Sequence, residues 1–169
     1  MPTISRVAVL VNPANPPHRG IPHKIESEAR GLGVQRQRME ARGPETIEDA
    51  FASMAQGGAQ ALLLMAGPPF VGSNLQRILA LALRQQLPTM TGGRHYAQAG
   101  VLLAYGADAY DLCQRAATFV DKLLKGARPD GLPVERAHKF SLYVNLKTAQ
   151  ALGLTLPPTL LFQADEVIK

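Results

Sequence analysis

The chain has 169 residues, 46% of them hydrophobic and 18% charged, with a single cysteine, no tryptophan and a formal net charge of +5. A chain of this length removes about 70% of its unfolded surface from water, so one compact unit needs no disulfide or metal to hold it, and Cys113 cannot form an internal disulfide. The apolar runs Leu62 to Ala66 and Ile78 to Leu83 are too short for a bilayer crossing, and Met1 to Arg6 leads directly into a strand with no export signal, which implies a cytoplasmic chain unless residues precede Met1.

Short β-branched apolar runs alternate with longer segments whose apolar residues recur every three or four positions, the mark of βαβ units. Arg6 to Val11 is the first strand. Ile21 to Leu32 is the first helix, with Ile25, Ala29 and Leu32 inward and Gly33 as its stop. Val34 to Met39 alternates apolar with polar and reads as an edge strand. Pro44 opens a second helix, Glu45 and Glu48 complement its positive end, and Ile47, Ala50, Phe51 and Met54 form its inward stripe. Ala61 to Met65 reads as a doubly buried strand, followed by the Gly67-Pro68-Pro69 turn and a third helix from about Ser73 to Gln86. Leu87 to Thr91 and Val101 to Tyr105 supply two further strands. Right-handed crossovers then wind these elements into a three-layer α/β fold, an open and mostly parallel sheet. Residues 1–106 make up this lobe. Residues 107–169 follow as a crossover helix and C-terminal strand and helix segments that pack on the lobe or on a partner. The helix, Ala109 to Gly126, has an apolar stripe broader than a surface helix needs, and Cys113 lies within it as a small buried hydrophobe. Phe140 to Asn145 reads as a strand and Leu146 to Leu152 as a helix, before a Pro157-Pro158 break.

In an open parallel sheet, ligands bind beyond the carboxyl ends of the strands. That rule selects Asn12 to Pro17, Ala66 to Val71, Gly92 to Tyr96 and Tyr105-Gly106. Asn12 and Asn15 could grip an amide, hydroxyl or carboxylate, or could simply close an Asn-Pro turn. Phe70, Tyr96 and Tyr105 could stack on a ligand or pack against the end of the sheet.

Several chemistries fail on particular residues. Neither G-x-x-x-x-G-K-[ST] nor G-x-G-x-x-G occurs, and Pro13, Pro16 and Pro17 strip the first loop of the N–H groups that a phosphate or flavin would need. Ala66-Gly67 stands where a phosphoacceptor aspartate would end the third strand. His18, His23, His95 and His138 lack metal-ligand spacing and read as scattered surface residues, so no metal and no cofactor is expected. Basic residues from Arg30 to Arg42 and from Lys122 to Lys139 are spread out, the later ones interrupted by Asp121, Asp130 and Glu135, which argues against a nucleic-acid partner. No nucleophile stands beside a base, so no enzymatic activity is expected.

Five stretches carry a family resemblance. They are Arg6 to Pro16, Ala99 to Gly106, Arg115 to Gly126, Asn145 to Leu154 and Ala164 to Ile168. In this order they resemble the substrate-binding proteins of ABC transporters, in the tryptophan/tyrosine-binding-like group with the type I periplasmic binding protein fold. The resemblance covers the second of that family's two lobes and its terminal segments. It implies a non-catalytic solute binder, for an amino acid or similar molecule, that works with an ABC permease in the periplasm. Its ligand lies between lobes that close about a hinge. By matching position, Asn12, Asn15, Pro68, Phe70, Tyr96, Tyr105 and Gly106 would face that cleft. The chain departs from the family pattern at Gly67-Pro68-Pro69, where an aspartate or serine is common, and at Ala99-Gly100, where two glycines often stand. With one lobe present, the resemblance implies a partner lobe from a missing first lobe, a separate chain or a second copy, the last by homodimerisation or domain swapping through the Ala109 to Gly126 helix. The alternative function is a one-lobe cytoplasmic ligand sensor or interaction module that acts as that homodimer.

Overall fold

A computed structural model describes residues 4–19, 21–65 and 70–169. Its strands are β1 (Arg6–Val11), β2 (Gln35–Glu40), β3 (Ala61–Leu64), β4 (Thr89–Thr91), β5 (Leu103–Ala107), β6 (Phe140–Asn145) and β7 (Glu166–Ile168). They form one sheet in the order β2-β1-β3-β4-β5-β6-β7. The first five run parallel, β6 is antiparallel to β5, and β7 is parallel to β6. The helices are α1 (Ile21–Gly31), α2 (Ile47–Gln56), α3 (Phe70–Arg84), α4 (Arg94–Gln98), α5 (Ala109–Leu124), α6 (Leu146–Ala151) and α7 (Pro158–Gln163). The mostly parallel α/β sheet follows the expectation, with β2 at one edge.

Strand register sorts the apolar residues into two faces, because paired residues point to the same side. Ala8, Leu10, Leu62 and Leu64 face one way and join Ile47, Ala50, Phe51 and Met54 of α2 and Val71, Leu75, Ile78 and Ala82 of α3 in the main core. Each large side chain fully enclosed there, such as Phe51 or Ile78, contributes roughly 1.5–3 kcal/mol. The other face carries the row Val9, Leu63, Met90, Leu103 and Val144, matched strand to strand from β1 to β6. Here α1 lies over β1 and β2. A second cluster, built on Leu102, Val144, Ala149, Leu152 and Leu156, secures the C-terminal elements.

Several expectations are corrected. Cys113 is exposed, and no residue of α5 is buried: the helix does not pack into the lobe. Leu32 is exposed as well, because α1 stops at Gly31 and the next residue falls in the turn. The third helix begins at Phe70 rather than near Ser73, α4 occupies a stretch taken for loop, and β7 adds a strand at the C-terminus. Among the described residues, no helix is long and apolar enough to cross a membrane.

Candidate functional site

At the carboxyl end of β1 the chain enters a loop whose prolines leave few amides, and every one of them is used. The Asn12 N–H donates to His18 Nδ1 (3.1 Å), the Ala14 N–H to Asn12 Oδ1 (2.8 Å), the Asn15 N–H to the Asn12 carbonyl (3.0 Å) and the His18 N–H to the Asn15 carbonyl (3.0 Å). From Asn12 to His18 no backbone donor is left over for an anion, because Pro13, Pro16 and Pro17 have none. The loop offers a ligand side chains instead.

His18 is what the sequence reading missed. It was expected at the surface, yet it is 3% exposed. A buried imidazole is tolerated when both nitrogens are satisfied, and here each has a partner within the loop. Asn15 Nδ2 lies 3.1 Å from His18 Nε2. Because Nδ1 accepts from the Asn12 N–H, the neutral ring carries its proton on Nε2 and must donate there. Asn15 Nδ2 stands against this Nε2–H, two donors face to face, and since an amide's N and O are assigned from their hydrogen bonds, the bond is made with the amide turned so that Oδ1 accepts and the NH2 group points away from the ring. The signal for this arrangement was present in the sequence. Asn12, Asn15 and His18 are spaced by three, the period of the two successive turn bonds, Asn15 N–H to the Asn12 carbonyl and His18 N–H to the Asn15 carbonyl, that bring them into line.

The remaining candidates divide into groups. Phe70 opens α3 at the same sheet edge, and its ring belongs to the main core. Tyr96 is 7% exposed in that same core, with its ring centroid 4.0 Å from that of the exposed His95. Gly106 lies at the end of β5 against the turn after β4, where a Cβ would sit 3.4 Å from Gly92 Cα. Gly93, beside it, has φ 98°, a conformation that favours glycine and launches α4. Tyr105 is 51% exposed and stacks on Phe140 at 5.9 Å. Register places Tyr105 on the face of Leu103 and Met90, so it projects from the side of the sheet whereas the Asn12 loop caps its end. Pro68 lies outside the described residues.

Charge at this end is organised around the exit from β5. Asp108 caps α5, accepting from the Tyr110 and Asp111 N–H groups, and pairs with Lys139 at 2.8 Å. Lys139 first, then the Asp111 amide, holds the Asp108 carboxyl down to about 2. Arg94 grips Glu166 of β7 through two bonds of 2.5 and 2.8 Å, which depresses the Glu166 carboxyl and raises the Arg94 guanidinium. The chemistry available at this edge is hydrogen bonding by the side-chain amides of Asn12 and Asn15, since the rings of Phe70 and Tyr96 are buried. Both His18 nitrogens are engaged in contacts within the loop.

Comparison with known proteins supplies the rest. A search of curated proteins finds no match. Among solved structures, a conserved domain protein from Vibrio cholerae superposes with TM-score 0.87 at 21% identity, covering 99% of this chain and 56% of that one. An ABC domain in complex with L-Trp from Streptococcus pneumonia gives 0.86 at 20% identity, with the same two coverages of 99% and 56%. The ligand-free, open form of a substrate-binding protein with adhesive properties from Clostridium difficile gives 0.74 at 16%, again over 99% and 56%. The chain thus spans little more than half the length of these structures, and at such identities they show a shared fold. The family model for ABC transporter substrate binding protein matches residues 1–168. With sheet order, helix placement and an end-to-end sequence match in agreement, the chain belongs to the ABC transporter substrate-binding protein family.

Proposed function

We propose that this chain is the solute-binding, non-catalytic component of an ABC importer, and that it supplies one wall of the ligand cleft. The observation that carries the reading is the Asn12 loop. A buried histidine holds Asn12 and Asn15 at the carboxyl edge of the sheet and spends every backbone donor to do so, within a chain that the family model matches from end to end. The outward NH2 of Asn15 is a donor suited to a carboxylate or carbonyl, so with the family match the solute is read as an amino acid or a molecule of similar build. L-tryptophan is the first to test, since a structural neighbour was solved with it. An ABC permease as partner and a periplasmic setting go with this reading.

One wall is not enough. A small-ligand pocket encloses about 70–90% of its ligand. If a micromolar complex at about −8 kcal/mol draws equally on two walls, one wall alone falls to about −4, which is millimolar. The second wall comes from a first lobe or from a second copy. No residue from 109 to 140 is buried, so this segment offers an open face to either of them, the second copy being the alternative of a homodimeric sensor.

The test is calorimetric titration and thermal denaturation with the twenty amino acids and small polar solutes. A rise in melting temperature for one chemical class, lost in Asn15→Asp, supports the reading, because bound ligand stabilises the folded form. No response to any of them at 10 mM, a concentration of about ten times the expected one-wall dissociation constant, refutes it.

A further inference from the structure

The connection from β4 to β5 runs from the carboxyl end of one strand to the amino end of the next, and α4 covers little of that path. With five residues α4 is about 7 Å long, against the fifteen residues and about 22 Å of α3. Ala99 and Gly100 finish the path as nearly bare backbone. Gly100 has φ 119°, and a Cβ there would stand 3.3 Å from Leu79 Cδ1, so a larger residue would both strain the chain and intrude on the space beside α3. What remains between α3 and α6 is a groove of about 370 Å³. That volume lies in the range of small-molecule sites, about 300–1,000 Å³.

The groove is apolar inside and positive at its mouth. Leu79 and Leu83 of α3, Leu87, Ala99, Ala151 and Leu152 line it. Thr89 and Thr148 line it too, but their hydroxyls are committed to the backbone: Thr89 Oγ1 accepts from the Leu102 N–H at 3.2 Å, and Thr148 Oγ1 donates to the Gly100 carbonyl at 2.8 Å. At the mouth stand Gln76 of α3 and Lys147 of α6, both exposed. Neither has a hydrogen bond or ion pair among the described residues. The charge is one-sided as well. Neither α3 nor α6 contains an aspartate or glutamate, and although Glu48 of α2 neutralises Arg77, nothing neutralises Arg84 or Lys147. Leu87, Thr89 and Gly100 lie at the amino ends of β4 and β5, the opposite end of the sheet from Asn12. The second wall of the solute cleft, whatever supplies it, therefore leaves this groove open.

We propose that the groove between α3 and α6 is a second binding site, for a small monocarboxylate with an aliphatic body. The body lies along Leu79, Leu83 and Leu152, and the carboxylate stays at the mouth, where it pairs with Lys147 and accepts from Gln76. An aliphatic body is required because the floor has committed its hydroxyls, and a polar group pressed against it would lose its water without gaining a partner. A negative head is required because both walls are positive: a carboxylate gains a charge-assisted bond from Lys147, whereas a cation would be repelled by Lys147 and Arg84 with no acid to offset them. The site shares no residue with the Asn12 loop, so it does not rest on the solute-binding reading.

The test compares two probes with the same tail and opposite heads, octanoate and octylamine, by calorimetric titration of the 169-residue chain, with methyl NMR to locate them. Octanoate is expected to saturate one site and to shift the methyl signals of Leu83 and Ala151, with octylamine binding at least about tenfold more weakly. Lys147→Glu should invert that preference, and Ala151→Phe, which fills the groove from the exposed side of α6, should abolish binding of both while circular dichroism stays unchanged. Failure of octanoate to saturate by about 10 mM, ten times a millimolar dissociation constant, overturns the proposal. Equal binding of the two probes overturns it as well, as does an unchanged preference in Lys147→Glu. So does octanoate that shifts the loop from Asn12 to His18 instead, since the site would then be the solute cleft. Octanoate binding that survives in Asn15→Asp supports it, and an amino acid screen that finds no ligand sinks only the solute-binding reading.

Discussion

His18 sets the chemistry of the first loop through one lone pair. Replacing it with alanine strands the Asn12 N–H and the Asn15 oxygen in a part-buried loop, and an unsatisfied buried group costs about 1–3 kcal/mol. His18→Ala is therefore expected to lower unfolding stability by that amount in urea titration and to abolish solute binding together with it. Asn15→Asp separates the two effects. A carboxylate still accepts from His18 Nε2, so stability should change by less than ~0.5 kcal/mol, the usual span for a surface substitution. The outward NH2 donor is gone, however, and a negative charge stands in its place, so an anionic solute should be rejected at least tenfold. Equal losses of stability in the two variants would show that the His18 contact does not carry the loop.

At the scale of elements, the joint between β5 and α5 is electrostatic. The ordinary carboxyl value of Asp108 is 3.8, and Lys139 with the α5 amides lowers it to about 2 in the folded chain. A depressed carboxyl stabilises the fold above its unfolded value and loses that contribution as pH falls through its folded value, so the joint should weaken between about pH 4 and pH 2. Asp108→Asn keeps a cap that accepts from the helix amides but cannot titrate or pair with Lys139. The melting temperature of the wild type should therefore fall more steeply than that of Asp108→Asn across this interval; parallel curves would mean that the pair does not hold the joint. Elements like these divide into those the sequence makes legible and those it does not. Local pattern suffices for β1, α2 and the edge position of β2, because apolar period and turn residues act within each segment. It fails for α4, whose five residues are too few for a period and whose start depends on Gly93, and for β7, where three half-buried residues are ordered by Tyr143, Val144 and Asn145. The Asn12 and Asn15 positions were readable from the strand-end rule. The burial of His18 leaves no apolar period, and its one trace in the sequence is the spacing by three from Asn12 and Asn15, which is legible only once the turn bonds are known.

For the whole molecule, the shortfall of one wall is itself measurable. If the ligand needs a second wall, from a first lobe or from a second copy, the 169-residue chain should hold its solute near the millimolar value of a single wall, about −4 kcal/mol. Where the second wall is a copy, ligation and association are linked equilibria, so apparent affinity should rise with protein concentration in calorimetric titration. Where it is a first lobe, affinity should stay millimolar at every protein concentration. A micromolar affinity independent of protein concentration, with one solute per chain, would instead mean that a single lobe holds its ligand unaided, and the two-wall reading would be wrong.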